Sequence, residues 1–514
     1  MTIESNSLGF GLQRLALEEP SQIALKDGIG SGEYTYSDLI GLISRFEYFF
    51  QHNNIDHESV VMSCMPNSVE QLVTFLSVAS TGRTFAPVST ESTRIDLESW
   101  INLVKPDLCI IPWGAPNSLV ELLNINKIAF VKIEIGSGFG WLPEQESSLK
   151  FDEGKLYVQS GGSSGNPRAV VFNTDVLWSS ASAFTDYHSF LNTGSCFLGV
   201  LPMSYLGGLF NLGLIPLSVG ASIAVIEPWS GRSVIGFWQN IDQYDVNIIW
   251  LLPGLLKALL DTDEITHRQK VAGRVHSLRA CFVGMTPIDL ETKNHFEKQF
   301  GVPVLENYGL SETTFLASET ITSRARRLDN SSGSPLPWVE LKFLPIDSND
   351  KGPGYSEILA KTSYMCSGYL KSDGAIENPV DDEGFFSTLD SGYLDTNGSL
   401  HLTGRLGDYI KKGDELISLR DLEQFAERYE SINEAGAFSL PHHLFGEVPF
   451  LFISFISNVA DSGKELRKFR PWFHSNMPKS HWPEKIMVID KFPLTSAGKK
   501  SRHLLKIHYL EQEK

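Results

Sequence analysis

The sequence predicts an α/β fold, with a large N-terminal domain of parallel-rich sheets and helices followed by a small α+β domain. Three observations support this prediction. The chain has 514 residues, which is more than one hydrophobic core normally supports. Short apolar segments alternate with helix-like segments through the N-terminal half, as they do in βαβ units. From about Gly333 onward, shorter segments rich in glycine, aspartate and serine predict turns between antiparallel strands.

The N-terminal elements follow one another in the order that parallel sheets require. Residues 60–63 are mainly apolar and predict a strand, and the helical spacing of apolar residues from Leu72 to Ala79 predicts a helix over residues 68–81. A second helix is predicted over residues 289–300. Further strands are predicted at residues 85–88, 108–111, 221–226, 248–251, 279–283 and 303–305. Short strands that alternate with helices favour parallel pairing.

The stretch from Phe197 to Ile226 carries no charged residue and is long enough to suggest a membrane span. However, Pro202, Asn211 and Pro216 interrupt it, together with several glycines. Because an interrupted backbone is costly in lipid, we expect a buried, broken region that lines a pocket, and no integral membrane association.

The composition argues against one class of function and indicates a compartment. Lys+Arg 43 against Asp+Glu 61 gives a net charge of −18, which opposes nucleic acid binding as the main function. The five cysteines are widely separated and show no metal-binding spacing. Reduced, buried thiols in a cytoplasmic protein are therefore expected.

Residues 160–168 form a glycine- and serine-rich segment between two short apolar runs. Its successive backbone N–H groups and small hydroxyls are suited to wrapping a phosphate. It is not a Walker loop, because Gly165 is followed by Asn166 and not by the lysine of that motif. A structural hairpin is the alternative for such a run, and the closing Pro167 and Arg168 favour phosphate binding.

A second segment, residues 493–502, places Lys499 directly after a glycine near the end of the chain. A lysine on a glycine turn, so far from the first loop, suggests delivery by a separate mobile lid, and hence ATP chemistry shared between two domains. The alternative is one more solvated lysine. Residues 404–408 contain two glycines and a charged pair just before a new strand–helix pattern, which predicts domains over residues 1–404 and 405–514.

Residues 307–312 follow a predicted strand and carry three groups that suit a nucleotide. Tyr308 can pack on a purine face, and Ser311 can hydrogen-bond a phosphate. Glu312 can hold Mg²⁺, which prefers carboxylate oxygen. The alternative is a strand-to-helix turn that Ser311 or Glu312 caps.

Asp390 and Arg405 form another pair of interest. A carboxylate and a guanidinium at these positions can fix the two ribose hydroxyls of a nucleotide. A mutual salt bridge at the surface is the alternative, and such pairs are common.

Taken together, these segments resemble the adenylate-forming superfamily of acyl- and aryl-CoA ligases, nonribosomal adenylation domains and beetle luciferases. The resemblance covers nearly the whole chain and is closest to the acyl- or aryl-acid:CoA ligases. It depends on five ordered motifs, which are residues 34–39 (similar to the early LTYxEL of the family), 160–168, 307–312, 404–405 and 493–502.

The resemblance implies a fold and a reaction. The N-terminal domain would contain a small barrel-like β subdomain, and the C-terminal domain would be a mobile lid. With ATP and Mg²⁺, members of the superfamily convert a small-molecule carboxylic acid into an acyl-AMP and release pyrophosphate. The acyl group then passes to a thiol, either of CoA or of the phosphopantetheine on an acyl or aryl carrier protein.

The resemblance also assigns roles to residues of this sequence. Lys499 would bridge the substrate carboxylate and the α-phosphate, Ser311 would contact that phosphate, and Glu312 would bind the metal. The ATP-binding residues would be Ser160, Gly162, Ser163, Ser164, Gly165 and Arg168 for the phosphates, Gly284, Met285, Thr286, Asn307, Tyr308 and Gly309 for the adenine region, and Asp390 and Arg405 for the ribose. The acid pocket would be lined by Tyr205, Gly207, Gly208 and Gly284.

This sequence departs from the superfamily pattern at five positions. Gly161 and Arg168 replace a usual serine and a usual lysine of the loop. Tyr205 stands where many relatives carry an aromatic–histidine pair. Gly407 occupies the position of the usual hinge Asp or Lys, and Asp414 stands where a glycine commonly lines the pantetheine tunnel. The last two departures leave a carrier-protein thiol or an amine open as the acceptor.

The acid pocket and the retained charges narrow the predicted function. Residues 202–208 hold no carboxylate, whereas amino-acid-activating members place one there for the α-ammonium. An apolar or aromatic acid is therefore expected. The alternatives are an amide-forming ligase with an amine acceptor, or a nucleotide-binding relative without turnover. Retention of Lys499, Glu312, Asp390 and Arg405 opposes the last of these.

Overall fold

The computed structural model of the protein contains two compact units. The structure describes residues 7–30, 32–160, 168–228, 233–266, 277–285, 288–321, 327, 330–346, 356–412, 415–442, 446–457, 459, 461–494 and 500–512. The first unit comprises residues 1–341, 360–386 and 394–401, and the second comprises residues 342–359, 387–393 and 402–514. The predicted boundary between residues 404 and 405 stays a prediction.

The described helices and strands are numbered here in chain order. The α-helices are α1 (Leu8–Glu18), α2 (Tyr36–His52), α3 (Val69–Ser80), α4 (Arg94–Val104), α5 (Asn117–Ile125), α6 (Thr174–Tyr187), α7 (Ile215–Ser218), α8 (Ser233–Gln243), α9 (Pro253–Thr266), α10 (Leu290–Phe300), α11 (Leu419–Glu427), α12 (Ser462–Asn476) and α13 (Arg502–Gln512). The strands are β1 (Ile23–Asp27), β2 (Glu33–Thr35), β3 (Val60–Ser63), β4 (Thr84–Pro87), β5 (Leu108–Pro112), β6 (Ala129–Ile133), β7 (Lys155–Ser160), β8 (Arg168–Asn173), β9 (Cys196–Gly199), β10 (Ser222–Val225), β11 (Ile248–Leu251), β12 (Ala280–Val283), β13 (Val304–Leu310), β14 (Thr314–Ser318), β15 (Ser334–Pro335), β16 (Val339–Pro345), β17 (Ser356–Thr362), β18 (Gly368–Leu370), β19 (Ile376–Glu377), β20 (Phe386–Leu394), β21 (Leu400–Arg405), β22 (Tyr409–Lys412), β23 (Glu415–Ser418), β24 (Ile432–His442), β25 (Gly446–Phe455) and β26 (Lys485–Val488).

A nine-stranded sheet forms one half of the first unit. Its strand order is β15-β14-β13-β12-β11-β9-β10-β1-β2. The strands from β13 to β1 in this order pair in parallel, and antiparallel strands complete both edges. Ligands of parallel sheets bind beyond the carboxyl ends of the strands. Here the ends of β9 and β12 lead directly into residues 200–208 and 284–285, and the end of β13 carries residues 307–310.

An eight-stranded sheet forms the other half, in the order β19-β18-β8-β7-β4-β3-β5-β6. The strands from β7 to β6 in this order are parallel, whereas β8, β18 and β19 are antiparallel to their neighbours. Helix α3 contacts β1 of the first sheet and β4 of the second. All its residues are buried, which explains why apolar residues occur on more than one of its faces.

Two smaller sheets complete the described chain. Strands β16, β17, β20 and β21 form a four-stranded sheet whose residues are divided between the two units. In the second unit, β23, β22, β25 and β24 pair in that order, and β26 joins β25 in parallel. Apolar residues of this sheet, α11 and α12 form one core, and a further cluster includes Leu505 of α13. The predicted α/β fold class is therefore confirmed.

Most elements that the sequence predicts are found. The helix predicted over residues 68–81 is α3, and the side chain of Ser68 caps it by accepting from the N–H of Gln71. The helix predicted over residues 289–300 is α10, with Asp289 as its cap. The strand predicted at residues 303–305 is longer than expected, because β13 continues to Leu310.

The uncharged stretch from Phe197 to Ile226 is broken and largely buried, as predicted. It contains all of β9 except its first residue, a π-helix over Gly207–Leu214, the short helix α7, and β10. Every residue of the π-helix is buried. Within the described residues, no helix combines the length and the apolar character that crossing a bilayer requires. The five cysteines are all buried and unpaired with one another, as expected for reduced thiols.

Candidate active site

Strands β7 and β8 precede and follow the glycine-rich segment along the chain. They pair antiparallel along their whole length, and Ser160, the last residue of β7, lies opposite Arg168, the first of β8. The segment therefore joins two adjacent strands, which is the geometry of a hairpin and equally that of a loop held at both ends. The predicted phosphate-binding residues Gly162, Ser163, Ser164 and Gly165 lie outside the described residues, as does Gly161.

Residues 307–312 lie in a hairpin between β13 and β14. Tyr308 pairs with Ala317, and the register shifts between Tyr308 and Gly309. A Cβ atom on Gly309 would overlap the carbonyl oxygen of Thr314, so only glycine allows this close approach. The alternative of a strand-to-helix turn capped by Ser311 or Glu312 is therefore wrong, because the chain returns as a strand and not as a helix.

Glu312 is held by a residue that the sequence did not single out. The phenol of Tyr369 donates to Glu312 Oε1 at 2.9 Å. The guanidinium carbon of Arg168 lies 5.4 Å from the centre of the Tyr369 ring. Tyr369 thus connects the last residue of the glycine-rich segment with the acidic residue of the β13–β14 turn. Its strand, β18, is only three residues long, and none of the sequence motifs lies there. The pairing of β18 with β8, which places Tyr369 near Glu312, could not be predicted from the sequence.

A hydrogen-bonded chain supports Asn307 from beneath. Ser318 Oγ donates to Asn307 Oδ1 at 2.6 Å, and His188 Nε2 lies 2.9 Å from the same hydroxyl. Asn307 Nδ2 donates to the carbonyl of Leu305 at 3.0 Å. All three side chains are buried, so the amide orientation of Asn307 is fixed by the fold.

Residues predicted for the acid pocket meet residues predicted for the adenine region. A Cβ on Gly284 would lie 3.0 Å from the carbonyl oxygen of Asn307. A Cβ on Gly207 would overlap the terminal methyl of Met285. Met285 has a φ of 71°, a left-handed conformation that is unusual for this residue type. Strained backbone of this kind clusters at ligand sites.

The remaining pocket residues lie on the same segment. A Cβ on Gly208 would overlap the carbonyl oxygen of Pro202, so this glycine permits a tight turn into the π-helix. The backbone N–H of Tyr205 donates to the same carbonyl at 3.3 Å. Tyr308 is buried, with 7% of its surface exposed. Thr286, predicted for the adenine region, lies outside the described residues.

In the second unit, Asp390 and Arg405 form an ion pair. Arg405 Nε lies 2.8 Å from Asp390 Oδ1, and the side chains are 58% and 14% exposed for the arginine and the aspartate. The surface salt bridge is therefore present. It also brings the two groups predicted for the ribose to one place, so the ribose role stays a prediction.

The end of the second motif is firmly attached to the second unit. Lys500 Nζ donates to the carbonyl of Ala435 at 3.0 Å, and Arg502 Nε donates to Asp408 Oδ1 at 2.6 Å. Asp408 closes a 3₁₀ turn, Leu406–Asp408, that contains Gly407. Lys499 itself, and Asp414, lie outside the described residues.

Many of the residues predicted for the site in the first unit therefore lie near the ends of β9, β12 and β13. A model of the AMP-binding enzyme family matches residues 12–370, which is more than half of the chain. The chain therefore belongs to the AMP-binding enzyme family.

Individual proteins are similar to this chain over nearly its whole length. The oxalate–CoA ligase of Arabidopsis thaliana is 25% identical over 99% of this chain and 100% of its own. The 2-succinylbenzoate–CoA ligase of Enterococcus faecalis is 24% identical over 91% of this chain and 93% of its own. The structure of ATP-bound MatB from Rhodopseudomonas palustris superposes with a TM-score of 0.84, at 19% identity, covering 99% of this chain and 100% of MatB. The predicted superfamily, and the prediction of an adenylate-forming ligase, are confirmed.

Proposed function

We propose that this protein activates a carboxylic acid with ATP as an acyl-AMP and then transfers the acyl group to the thiol of CoA. One observation carries the proposal. Residues predicted from separate motifs of the first unit lie together, with Gly207 against Met285, Gly284 against Asn307, and Glu312 joined to Arg168 through Tyr369. The names of the curated relatives, which are CoA ligases, support CoA as the acceptor.

The chemistry follows from the poor reactivity of a carboxylate. Its oxygen attacks the α-phosphorus of ATP, and the bond from that phosphorus to the bridging oxygen of pyrophosphate breaks. The acyl carbon then carries AMP, a good leaving group, which a thiol displaces. Because two anions must meet in the first step, catalysis is mainly positioning and charge stabilisation. Lys499 is proposed to supply a positive charge between the acid and the α-phosphate, and Arg168 another at the end of the phosphate segment.

Mg²⁺ is implied by the family, and Glu312 is the residue proposed to hold it. In the described parts of the chain, no group of three or more His, Cys, Asp or Glu side chains could hold a metal ion. A single carboxylate nevertheless fits Mg²⁺, which proteins usually bind through one or two carboxylates together with the phosphates of a substrate. Bound there, the ion would neutralise phosphate charge, while Glu312 would fix its place relative to Ser311.

The acid is proposed to be an organic acid without an α-ammonium group, with an apolar or aromatic body. The support is the character of the pocket segment. The π-helix Gly207–Leu214 is apolar apart from Asn211 and is buried throughout, and residues 202–208 contain no carboxylate to receive an ammonium. The terminal methyl of Met285 occupies the space beside Gly207, which favours apolar contacts on that side.

The experiment that tests this function is acid-dependent exchange of labelled pyrophosphate into ATP. The panel comprises aryl, fatty and amino acids, together with oxalate and 2-succinylbenzoate, and each acid is measured alone and with CoA. We expect exchange with one class of acid, a thioester on adding CoA, and a fall in exchange of about 10²- to 10³-fold in Lys499→Ala.

Each alternative has its own result in this experiment. Exchange with ordinary amino acids alone would overturn the proposed acid class. An amide formed from an added amine, without thioester, would identify an amide-forming ligase, and a carrier-protein thioester without acyl-CoA would move the acceptor to a carrier protein. ATP binding without exchange for any acid would support a relative that has lost turnover.

A further inference from the structure

Tyr369 touches both charged ends of the proposed ATP site, although no motif points to it. Its hydroxyl donates to Glu312 Oε1 at 2.9 Å, and its ring lies under the guanidinium of Arg168 at 5.4 Å. Arg168 ends the glycine-rich segment, and Glu312 lies in the β13–β14 turn. One side chain therefore spans the distance between the residue proposed for the metal and a residue proposed for the phosphates.

The backbone around Tyr369 is fixed on two sides. The N–H of Cys366 donates to the carbonyl of Glu312 at 2.8 Å, and the N–H of Ser367 donates to the carbonyl of Val171 at 2.7 Å. Tyr369 then lies opposite Val170 in the antiparallel pairing of β18 with β8. The segment is thus tied both to the turn that carries Glu312 and to the strand that begins with Arg168.

The direction of the hydrogen bond between Tyr369 and Glu312 follows from the chemistry of the two groups. A carboxylate oxygen accepts and a phenol O–H donates, so Tyr369 is the donor in this bond. The bond engages Oε1 and does not involve Oε2. A carboxylate held by one oxygen presents the other in a set direction, as carboxylates that ligate metals usually do.

We propose that Tyr369 is a positioning residue for the metal of MgATP: its hydroxyl orients the Glu312 carboxylate, and its ring places the Arg168 side chain. The proposal deepens the proposed function and depends on it for the identity of the nucleotide. The two contacts are separable. Tyr369→Phe removes the bond to Glu312 and keeps the ring under Arg168, whereas Tyr369→Leu removes both.

The test is a titration of Mg²⁺ at fixed ATP, read by calorimetry and by pyrophosphate exchange. In Tyr369→Phe we expect the Mg²⁺ concentration for half-maximal effect to rise about 10- to 100-fold, with ATP binding in the absence of Mg²⁺ unchanged. In Tyr369→Leu, binding of ATP without Mg²⁺ should weaken as well, because the aromatic ring that contacts the guanidinium of Arg168 is gone.

Two controls make the result specific. Tyr364→Phe removes the same atom from a tyrosine of the same region, whose ring packs edge-on against Trp338 at 5.7 Å, and should leave the Mg²⁺ dependence unchanged. In a Glu312→Gln background, Tyr369→Phe should have no further effect on the Mg²⁺ titration, because the phenol acts through that carboxylate.

Other results would overturn the proposal. An unchanged Mg²⁺ requirement in Tyr369→Phe would do so, and so would equal losses of ATP binding with and without Mg²⁺, since these would indicate a general loss of structure. An effect that persists in the Glu312→Gln background would do so too. The calorimetric titration needs no acid, so a failure of acid activation in the wild-type protein would overturn the proposed function without affecting this test.

Discussion

The buried side chain of His188 is kept neutral by the groups that surround it. Its Nε2 faces Ser318 Oγ, whose own hydrogen is directed to Asn307 Oδ1, so Nε2 must carry the ring proton. Its Nδ1 has no hydrogen-bond partner among the described residues, and the ring packs against Phe184 and Phe282. Because nothing there can receive a charged N–H, burial lowers the pKa of His188 to about 3.

This lowered pKa predicts a pH-dependent stability. Between about pH 6.5 and pH 3 the unfolded chain binds a proton at His188 that the folded chain does not, so the stabilising effect is present above pH 6.5 and is lost as the pH falls. His188→Gln, which keeps a donor for Ser318, should remove this dependence. The difference in unfolding free energy between wild type and variant should therefore change by about 2 kcal/mol between pH 7 and pH 5.

The measurement is urea unfolding of both proteins at the two pH values. Other groups that titrate in this range are common to both proteins and cancel in the difference. A difference in unfolding free energy that stays constant with pH would show that His188 is protonated in the folded chain, contrary to its surroundings.

The sequence predicted candidate residues that lie within its motifs. It did not predict the residues that strand pairing places beside them. Glu312 and Tyr308 could be found because they lie in a motif that follows a predicted strand. Tyr369 could not, since its relation to Glu312 depends on the pairing of β18 with β8. Nor could Ser318, which reaches Asn307 only across the β13–β14 hairpin. Hydrogen bonds between distant segments are a property of the fold, not of local sequence.

At the scale of elements, the start of α13 depends on one guanidinium. Arg502 bonds to Asp408 in the 3₁₀ turn, to Glu423 of α11 and to the carbonyl of Ala437 in β24. Burial raises the pKa of Glu423, and the charge of Arg502 opposes that rise. The arginine that ends the second motif therefore joins four elements of the second unit.

Arg502→Met should accordingly destabilise the second unit by about 2 kcal/mol, because it leaves the partly buried carboxylate of Glu423 without its partner. Arg467→Met makes the same change at an exposed position of α12 and should alter the unfolding free energy by less than about 0.5 kcal/mol. Chemical denaturation of the three proteins is the measurement. Equal stability of Arg502→Met and wild type would mean that the network contributes nothing to the fold.

The helices were easier to predict than the hairpin, for a physical reason. Helix α3 has a capping serine and regular apolar spacing, both of which are local signals. The turn at residues 311–313 carries a serine and a glutamate that equally suit a helix cap. What decides for the hairpin is the close approach of Gly309 to Thr314, which itself has a φ of 55°. That contact exists only after the strands have paired.

At the scale of the whole molecule, Gly407 carries the prediction of a moving domain. It lies in the 3₁₀ turn Leu406–Asp408, and a Cβ atom added to it would meet no atom within 4 Å. A side chain therefore fits there, and any effect of substitution would come from the backbone. If this residue absorbs a rotation between the two half-reactions, its φ must be able to change.

Gly407→Pro, which fixes φ, should leave pyrophosphate exchange nearly unchanged and slow thioester formation by about tenfold or more. Gly407→Ala is the matched control and should affect neither reaction strongly. Rapid-quench measurement of acyl-AMP and acyl-CoA separates the two steps. An equal loss in both reactions would place Gly407 in the first step and remove it as a hinge.

The whole-molecule organisation was the part that composition and length predicted best. Chain length, βαβ alternation and the change of texture after Gly333 are sums over many residues, so single exceptions do not disturb them. The extent of each unit is harder to read, because residues 342–359 and 387–393 group with the C-terminal part while the chain between them does not. The local sequence carries no signal that these two segments group with the C-terminal part.

The antiparallel stem of β7 and β8 has a consequence for how this protein can be varied. Ser160 and Arg168 face each other, so the first and last residues of the glycine-rich segment are set by the sheet and not by the residues between them. We therefore expect the seven positions from 161 to 167 to accept the residues of a relative without a change in the pairing of β7 with β8.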